Sequence, residues 1–227
     1  VVPSDASVGS FYPDNYSISY VNGAMVITPA PLVVTADNQT KPYGTAFPFT
    51  GTEFTSSGLL NADTIGSATL VSAGAPATAP VAGSPYPIVP SDATGGTFAP
   101  GDYTISYVNG VMTVTPVALT LTANDATKVF GQTLTLPPSA FTADGLVNGD
   151  TKVATEPSIN TTAVQSSNVG TYPITLTGGS DANYDIELKA GTLTVGKANV
   201  TITADNKQKV FGKENPSLTF SYSGLVN

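Results

Sequence analysis

The chain has 227 residues, 11% of them charged and 41% hydrophobic, with 22 Gly, 18 Pro and a net charge of −8. This balance excludes a charged disordered tail and a helical bundle, and it argues against nucleic acid or an anionic membrane as partner, since neither attracts an acidic surface. Cys, His and Trp are absent, which excludes a disulfide framework, thiol nucleophiles and zinc–thiolate sites and removes the side chain most used for proton transfer near neutral pH.

No run of about 18 apolar residues occurs, and no basic segment precedes an apolar run at the start. Membrane insertion is therefore not expected in this segment, and any signal or anchor is expected outside it. Residues 1–30 open with Val2-Pro-Ser-Asp5 and contain Tyr16-Ser-Ile18-Ser-Tyr20-Val-Asn22-Gly23. Both phrases return later, as Val89-Pro-Ser-Asp92 and Tyr103-Thr-Ile105-Ser-Tyr107-Val-Asn109-Gly110, so these residues are expected to be the C-terminal part of a repeat.

A complete repeat is expected over 31–117. After Leu32 comes Lys41-Pro-Tyr43-Gly44, then Phe54-Thr-Ser-Ser-Gly58-Leu59-Leu-Asn61-Ala-Asp63-Thr64, where the sequence allows either a tight turn or one capped helical turn. Strands are expected near Ser67 to Ser72 and near Tyr86 to Val89. A variable loop of twelve positions, Ser91 to Tyr103, follows. Tyr103, Ile105 and Tyr107 alternate with hydroxyl residues, which predicts a half-buried strand. Val108-Asn109-Gly110-Val111 then predicts a two-residue hairpin turn back along Met112 and Val114.

Pro116-Val117-Ala118 is the expected joint, too short to act as a loose tether and restricted further by proline. A second repeat, 118–197, begins with Leu119-Thr-Leu121-Thr-Ala123 and carries Lys128-Val-Phe130-Gly131 and Tyr184-Asp-Ile186. Gly44 to Gly131 spans 87 positions and Gly131 to Gly212 spans 81, with much of the difference in the variable loop. Residues 198–227 are then the N-terminal part of another repeat, with Lys209-Val-Phe211-Gly212 and a closing Gly224-Leu225-Val226-Asn227. Half repeats leave strand edges and apolar faces uncovered. A longer parent protein is expected to complete them, with completion by a neighbouring molecule as the alternative.

Together these phrases resemble the bacterial MBG domain of the YGX type. The resemblance rests on Thr-Ala-Asp-Asn at 35–38 and 203–206, Tyr43-Gly44 and its Phe-Gly versions, Gly-Leu-Val-Asn-Gly-Asp-Thr at 145–151, and Asn168-Val-Gly170-Thr-Tyr172-Pro-Ile174. Thr122-Ala-Asn124-Asp125 and Ser84-Pro85-Tyr86 depart from the pattern. The resemblance implies a non-catalytic, mostly β, extracellular module of large surface or secreted adhesins, and it supplies no catalytic or ligand-binding residue.

The expected fold is all-β: a tandem array of small antiparallel domains, each β-sandwich or β-grasp-like with at most one short helix. Units about 30 Å or more across, joined by short linkers, would stand end to end as a semi-rigid rod. No catalytic, cofactor-binding or metal-ligating residue is assigned. Asp144 with Asp150 is the carboxylate pair considered for glycoside hydrolysis, but acidic residues here sit mostly at turns. Calcium is the one cofactor considered, through Asp5, Asp92 and Asp181 and through Asp63 and Asp150, and the turn reading is preferred to it. Lys41, Lys128 and Lys209 invite an isopeptide reading; the preferred one lays each along a neighbouring ring with its charge in water. Phe11, Tyr12 and Phe98 are the candidates for sugar stacking, while Tyr16 and Tyr20 are expected in the core.

The functional expectation is a structural stalk or spacer in a large extracellular adhesin or matrix fibre at the bacterial cell surface. The alternative is a glycan- or protein-binding module acting through the variable loops. Expected partners are neighbouring repeats, with other copies of the chain or surface glycans as further candidates.

Overall fold

The computed structural model describes residues 1–5 and 9–226, so Asn227 of the closing phrase lies outside the described residues. The first repeat forms β1 (Ala30–Ala36), β2 (Gln39–Pro42), β3 (Phe54–Ser57), β4 (Ser67–Val71), β5 (Tyr86–Thr94), β6 (Tyr103–Val108) and β7 (Gly110–Thr115). The second repeats the series as β8 (Val117–Ala123), β9 (Ala126–Val129), β10 (Phe141–Asp144), β11 (Ser158–Thr161), β12 (Gly170–Thr177), β13 (Tyr184–Lys189) and β14 (Gly191–Gly196). β15 (Thr201–Ala204) and β16 (Phe220–Ser223) follow. Helical structure among the described residues is limited to three-residue 3₁₀ turns, such as Val81–Gly83 and Pro100–Asp102, and no helix is long and apolar enough to cross a membrane. The fold is all-β.

The strands gather into two compact units. One comprises Val1–Asp37, Phe49–Val71 and Ile88–Gly110; the other comprises Asn38–Pro48, Ser72–Pro87 and Val111–Asn227. In the second unit β8 lies between β10, antiparallel, and β13, parallel. A separate sheet runs β11-β12-β14-β9, and its β14–β9 pair is parallel. Leu119, Leu121 and Ala123 of β8 face Ile174, Leu176, Leu193 and Val195 of that sheet across one apolar core. The core follows from period-two alternation, because the intervening residues are mostly threonines turned toward solvent. Two face-packed sheets without an α-helix make this a small sandwich. The expectation of purely antiparallel sheets is corrected, since each repeat contains two parallel pairs.

The parallel pairs arise because the chain changes sheets twice. It leaves β8 for β9 through Asn124-Asp125, and later leaves β13 for β14 through Ala190. The predicted Asn-Gly hairpin is therefore absent: β6 pairs with β1 and β7 pairs with β2, and neither Asn109 nor Gly110 has a positive φ. The glycine is needed for another reason. The two crossings pack so closely that a Cβ on Gly191 would lie 2.4 Å from the Ala123 carbonyl oxygen, and one on Gly110 would lie 2.5 Å from that of Ala36. At the same corner the Asp125 Oδ1 accepts the Thr192 N–H at 2.6 Å, and the Asn38 Oδ1 accepts the Val111 N–H at 2.8 Å. Only an oxygen acceptor is required, which explains why Asp-Asn and Asn-Asp interchange between repeats.

In the first unit β1 pairs antiparallel with β3 and parallel with β6, and β4 runs antiparallel to β5 with a register shift between Ser67 and Thr69. Its core gathers Leu32, Val34, Ala68, Ala93, Phe98 and Tyr103. β5 runs on to Thr94, into the variable loop, whose remainder is tied down by the Thr97 N–H to the Thr64 carbonyl at 3.0 Å. Phe98 is buried beside Tyr103, at 6.1 Å between centroids, which removes it from any sugar platform. Tyr12 is exposed, and Phe11 stacks on Tyr16 at 5.3 Å. Tyr16 and Tyr20, expected in a core, are exposed; Tyr103, the counterpart of Tyr16, is buried in the complete repeat, whereas Tyr107, the counterpart of Tyr20, is itself exposed.

The mid-repeat phrase resolves into a strand and a tight turn, the first of the two alternatives. The Asp63 N–H returns to the Leu60 carbonyl and the Asp150 N–H to that of Val147, at 2.9 and 3.0 Å. Asn61 and Asn148 take positive φ there, as asparagine tolerates.

The crowded corner yields a prediction with an internal control. Gly191→Ala should destabilise the chain by about 2–3 kcal/mol in urea unfolding, the usual scale for overpacking against backbone. Gly23→Ala, at the equivalent position of residues 1–30, should change stability by less than about 0.5 kcal/mol, because its Cβ would meet only Val1, at 3.8 Å.

Candidate functional site

The most elaborate side-chain cluster lies at the joint between the two repeats, inside the second unit. Its centre is Asp150, at the end of the Val147–Asp150 turn. One carboxylate oxygen, Oδ2, accepts the Tyr184 hydroxyl at 2.6 Å and the Tyr43 hydroxyl at 3.2 Å. Tyr184 comes from the start of β13 in the same repeat, whereas Tyr43 comes from the Tyr-Gly turn after β2 of the first repeat. The rings meet edge to face at 5.7 Å and 82°, an arrangement aromatic quadrupoles favour. Both rings are buried.

The turn carrying Tyr43 is held on every side. Its N–H donates to the Thr115 carbonyl at 2.9 Å, and the Gly44 N–H donates to that of Ala77 at 3.1 Å. Asn148 Nδ2 reaches the same Ala77 oxygen at 3.0 Å, and the Val81 N–H donates to the Asn183 Oδ1 at 2.9 Å. Gly44 has φ +84°, and a Cβ there would lie 2.5 Å from a methyl of Val147. Glycine is thus required both for its backbone and for the valine packed over it. The next joint keeps half of this design: a Cβ on Gly131 would lie 2.5 Å from Val226, while Phe130 replaces the tyrosine and brings no hydroxyl.

Burial, reinforced by the Asp150 carboxylate, pushes the Tyr184 phenol up to about 12, because ionisation would place a second negative charge beside the first. The counterpart in the first unit behaves alike. There the Leu60 N–H, bonded to the Tyr103 oxygen, pulls the phenol down, but the Asp63 carboxylate at 2.7 Å prevails and raises it.

The lysines of the repeated Lys-x-aromatic-Gly phrase differ from expectation. Lys41 and Lys128 are 3% and 6% exposed, so their charges are not in water. Lys41 Nζ donates to the Pro76 carbonyl at 2.9 Å, and Lys128 Nζ to those of Val164, Gln132 and Gln165 at 2.5, 3.1 and 3.2 Å. Lys41 thus holds one loop carbonyl, and Lys128 holds two loop carbonyls together with one of the Phe-Gly turn, so each ammonium pins a loop beside that turn. Burial pushes the Lys41 amine down. Only Lys209 meets an asparagine side chain, Asn215 at 2.8 Å, and this pair is exposed rather than buried beside an acid.

The other candidates are engaged elsewhere. Asp181 accepts the Ala154 and Asn183 N–H groups at 3.0 and 2.9 Å, and Asp92 accepts the Ser91 hydroxyl at 2.8 Å. Asp5 and Asp92 both hold positive φ. Among the described residues no three acidic side chains gather in a way that would hold a metal ion. Asp144 lies exposed on β10 opposite Thr120, while Asp150 faces the two phenols. The joint was missed from the sequence because its members are far apart in the chain. Its signal was nonetheless present: Asp63 with Tyr103 and Asp150 with Tyr184 occupy equivalent positions.

A family model for the MBG domain (YGX type) matches residues 32–113, 119–194 and 200–227, most of the chain, in three tandem segments. The chain belongs to the MBG domain family. No curated protein matches it. Within this MBG array the Tyr-Gly phrase is the turn that one repeat inserts into the next. Membership and the all-β fold are consistent with a non-catalytic repeat module.

The tyrosine–carboxylate pair sets a measurable titration. Followed by absorbance near 295 nm, Tyr184 should ionise at about 12, and Asp150→Asn should bring that step down toward the ordinary tyrosine value. A phenol raised in the folded state contributes stability below pH 10 that is lost as pH rises through about 12, so the joint should loosen over that interval.

Proposed function

We propose that this chain is a structural spacer within a large extracellular bacterial adhesin or matrix fibre, without catalytic activity, cofactor or calcium, and that it works by holding successive MBG repeats in fixed mutual orientation. The observation that carries this reading is the joint: a buried tyrosine of one repeat donating to a carboxylate of the next. A single residue, Pro116, separates β7 from β8 there, so covalent and non-covalent links both resist bending. A spacer needs just this, since its reach is lost if consecutive modules flex. The burial of Phe98 in the core weighs against the alternative of a loop-borne glycan platform.

Rigidity at the joint is directly testable. The chain has no cysteine, so Thr113→Cys with Thr192→Cys places spin labels at exposed positions on equivalent strands of the two repeats. Double electron–electron resonance should give one narrow distance distribution, and Tyr43→Ala should broaden it. A broad distribution in the unmodified joint would remove the basis for the spacer. Replacing Ala99 and Gly101, both exposed in the variable loop, with lysine should leave the distribution narrow; loss of a surface-binding activity on those substitutions would favour the loop-borne module instead.

A further inference from the structure

Asn-Gly dipeptides stand at 109–110 in the first repeat and at 148–149 in the second, and the fold treats them in opposite ways. At 109–110 the glycine is buried in the sheet-to-sheet crossing, against the Ala36 carbonyl. At 148–149 both residues are exposed, at the centre of the tight turn that the Asp150 N–H closes on the Val147 carbonyl. Asn148 has φ +56° and Gly149 φ +78°, the paired positive angles of a type I′ turn. Nothing lies within 4 Å of where a Gly149 Cβ would stand, and its N–H has no hydrogen-bond partner among the described residues. The first repeat builds the equivalent turn from Asn61 and Ala62, at φ +54° and +64°, with alanine in the place of the glycine.

We propose that Asn148 is a site of spontaneous deamidation, and that its conversion loosens the joint from within. The Gly149 backbone nitrogen, after losing its proton to hydroxide, attacks the side-chain carbonyl carbon of Asn148. A C–N bond forms, the bond from that carbon to Nδ2 breaks, and ammonia leaves with a proton from solvent, closing a succinimide. Water then opens either carbonyl of the ring, leaving Asp at 148 or an isoaspartyl link that runs through the former side chain. Glycine favours the attack because it sets no side chain against the approaching carbonyl and lets the peptide swing round; Ala62 denies both to Asn61. Each product acts on the joint. Asn148 Nδ2 donates to the Ala77 carbonyl at 3.0 Å, the oxygen that also receives the Gly44 N–H of the inserted turn. A carboxylate has no hydrogen to donate, so it repels that carbonyl and adds negative charge near Asp150. The isoaspartyl link also lengthens the turn that sets Val147 over Gly44 and Asp150 against the two phenols. This inference rests on the geometry of the joint and stands whether or not the chain serves as a spacer.

Timed incubation of the full chain at mildly alkaline pH, with peptide mapping by mass spectrometry, tests it. Asn148 should deamidate at least about tenfold faster than Asn109, whose crossing must first open locally, and faster than Asn61 in the equivalent turn. Gly149→Ala, which copies the turn of the first repeat, should slow Asn148 to the rate of Asn61 with the chain still folded. With spin labels at Thr113→Cys and Thr192→Cys, the distance distribution of the aged chain should broaden in step with modification. Asn148→Asp should broaden it without ageing, and aged Gly149→Ala should stay narrow. An Asn148 that reacts no faster than Asn61 or Asn109 would overturn the proposal. So would an Asn148→Asp chain whose distance distribution and urea midpoint both match those of the parent. A fresh parent chain that is already broad would sink the spacer reading alone, since the mapping and the urea midpoint of Asn148→Asp still decide this one.

Discussion

One carboxylate oxygen organises the joint. Asp150 Oδ2 receives a phenol from its own repeat and a phenol from the repeat before it. A buried or half-buried carboxylate is costly without donors, so the turn that carries it and the two tyrosines that serve it are stable only together. The tyrosine rings add apolar area and an edge-to-face contact, while Gly44 lets the turn come close enough for the hydroxyl to reach. Removing any one of these leaves the others with an unmet requirement, a more restrictive arrangement than apolar packing alone. Apolar packing tolerates sliding more readily than a directional hydrogen bond to a fixed oxygen does.

The same logic explains why the compact units do not coincide with the sequence repeats. Residues 38–48 and 72–87 of the first repeat gather with the second, and Tyr43, Ala79 and Val114 belong to the core built around Leu119, Leu121 and Ile174. In solenoid-like arrays much of the stability resides in contacts between neighbours rather than within a unit. Here the neighbour contact is a continuous core crossing a joint one proline long. Where a neighbour is not packed, as at residues 1–27 and 200–226, apolar faces stay open to water.

Much of this was legible in the sequence, and the failures have specific causes. Alternation along Leu119–Ala123 and Met112–Val114 marked the buried faces correctly, because period two is imposed by the pleat itself. The repeat length and the family followed from ordered phrases. The Asn-Gly hairpin failed because the same dipeptide serves a sheet-to-sheet crossing, where glycine answers to a carbonyl 74 positions earlier, Ala36 to Gly110, and not to a positive φ. Local turn chemistry cannot register a long-range steric demand. Lys41 and Lys128 failed for a related reason: surface lysine is the usual case, and the loop carbonyls that receive these ammonium groups come from residues 35 or more positions away, Gln132 excepted. Asp150 was visible as a repeated turn residue, and its tie to two distant phenols was not.

The central claim is that the Tyr43 hydroxyl and the Asp150 carboxylate stabilise each other across the joint. A double-mutant cycle on the full chain, with Tyr43→Phe and Asp150→Asn alone and combined and stability read from urea unfolding, isolates that term. The account predicts a favourable coupling of about 0.5–1.5 kcal/mol, the range for a hydrogen bond accepted by a charged group at moderate distance. A coupling indistinguishable from zero, within about 0.3 kcal/mol, would mean that the two repeats are merely adjacent and would contradict it.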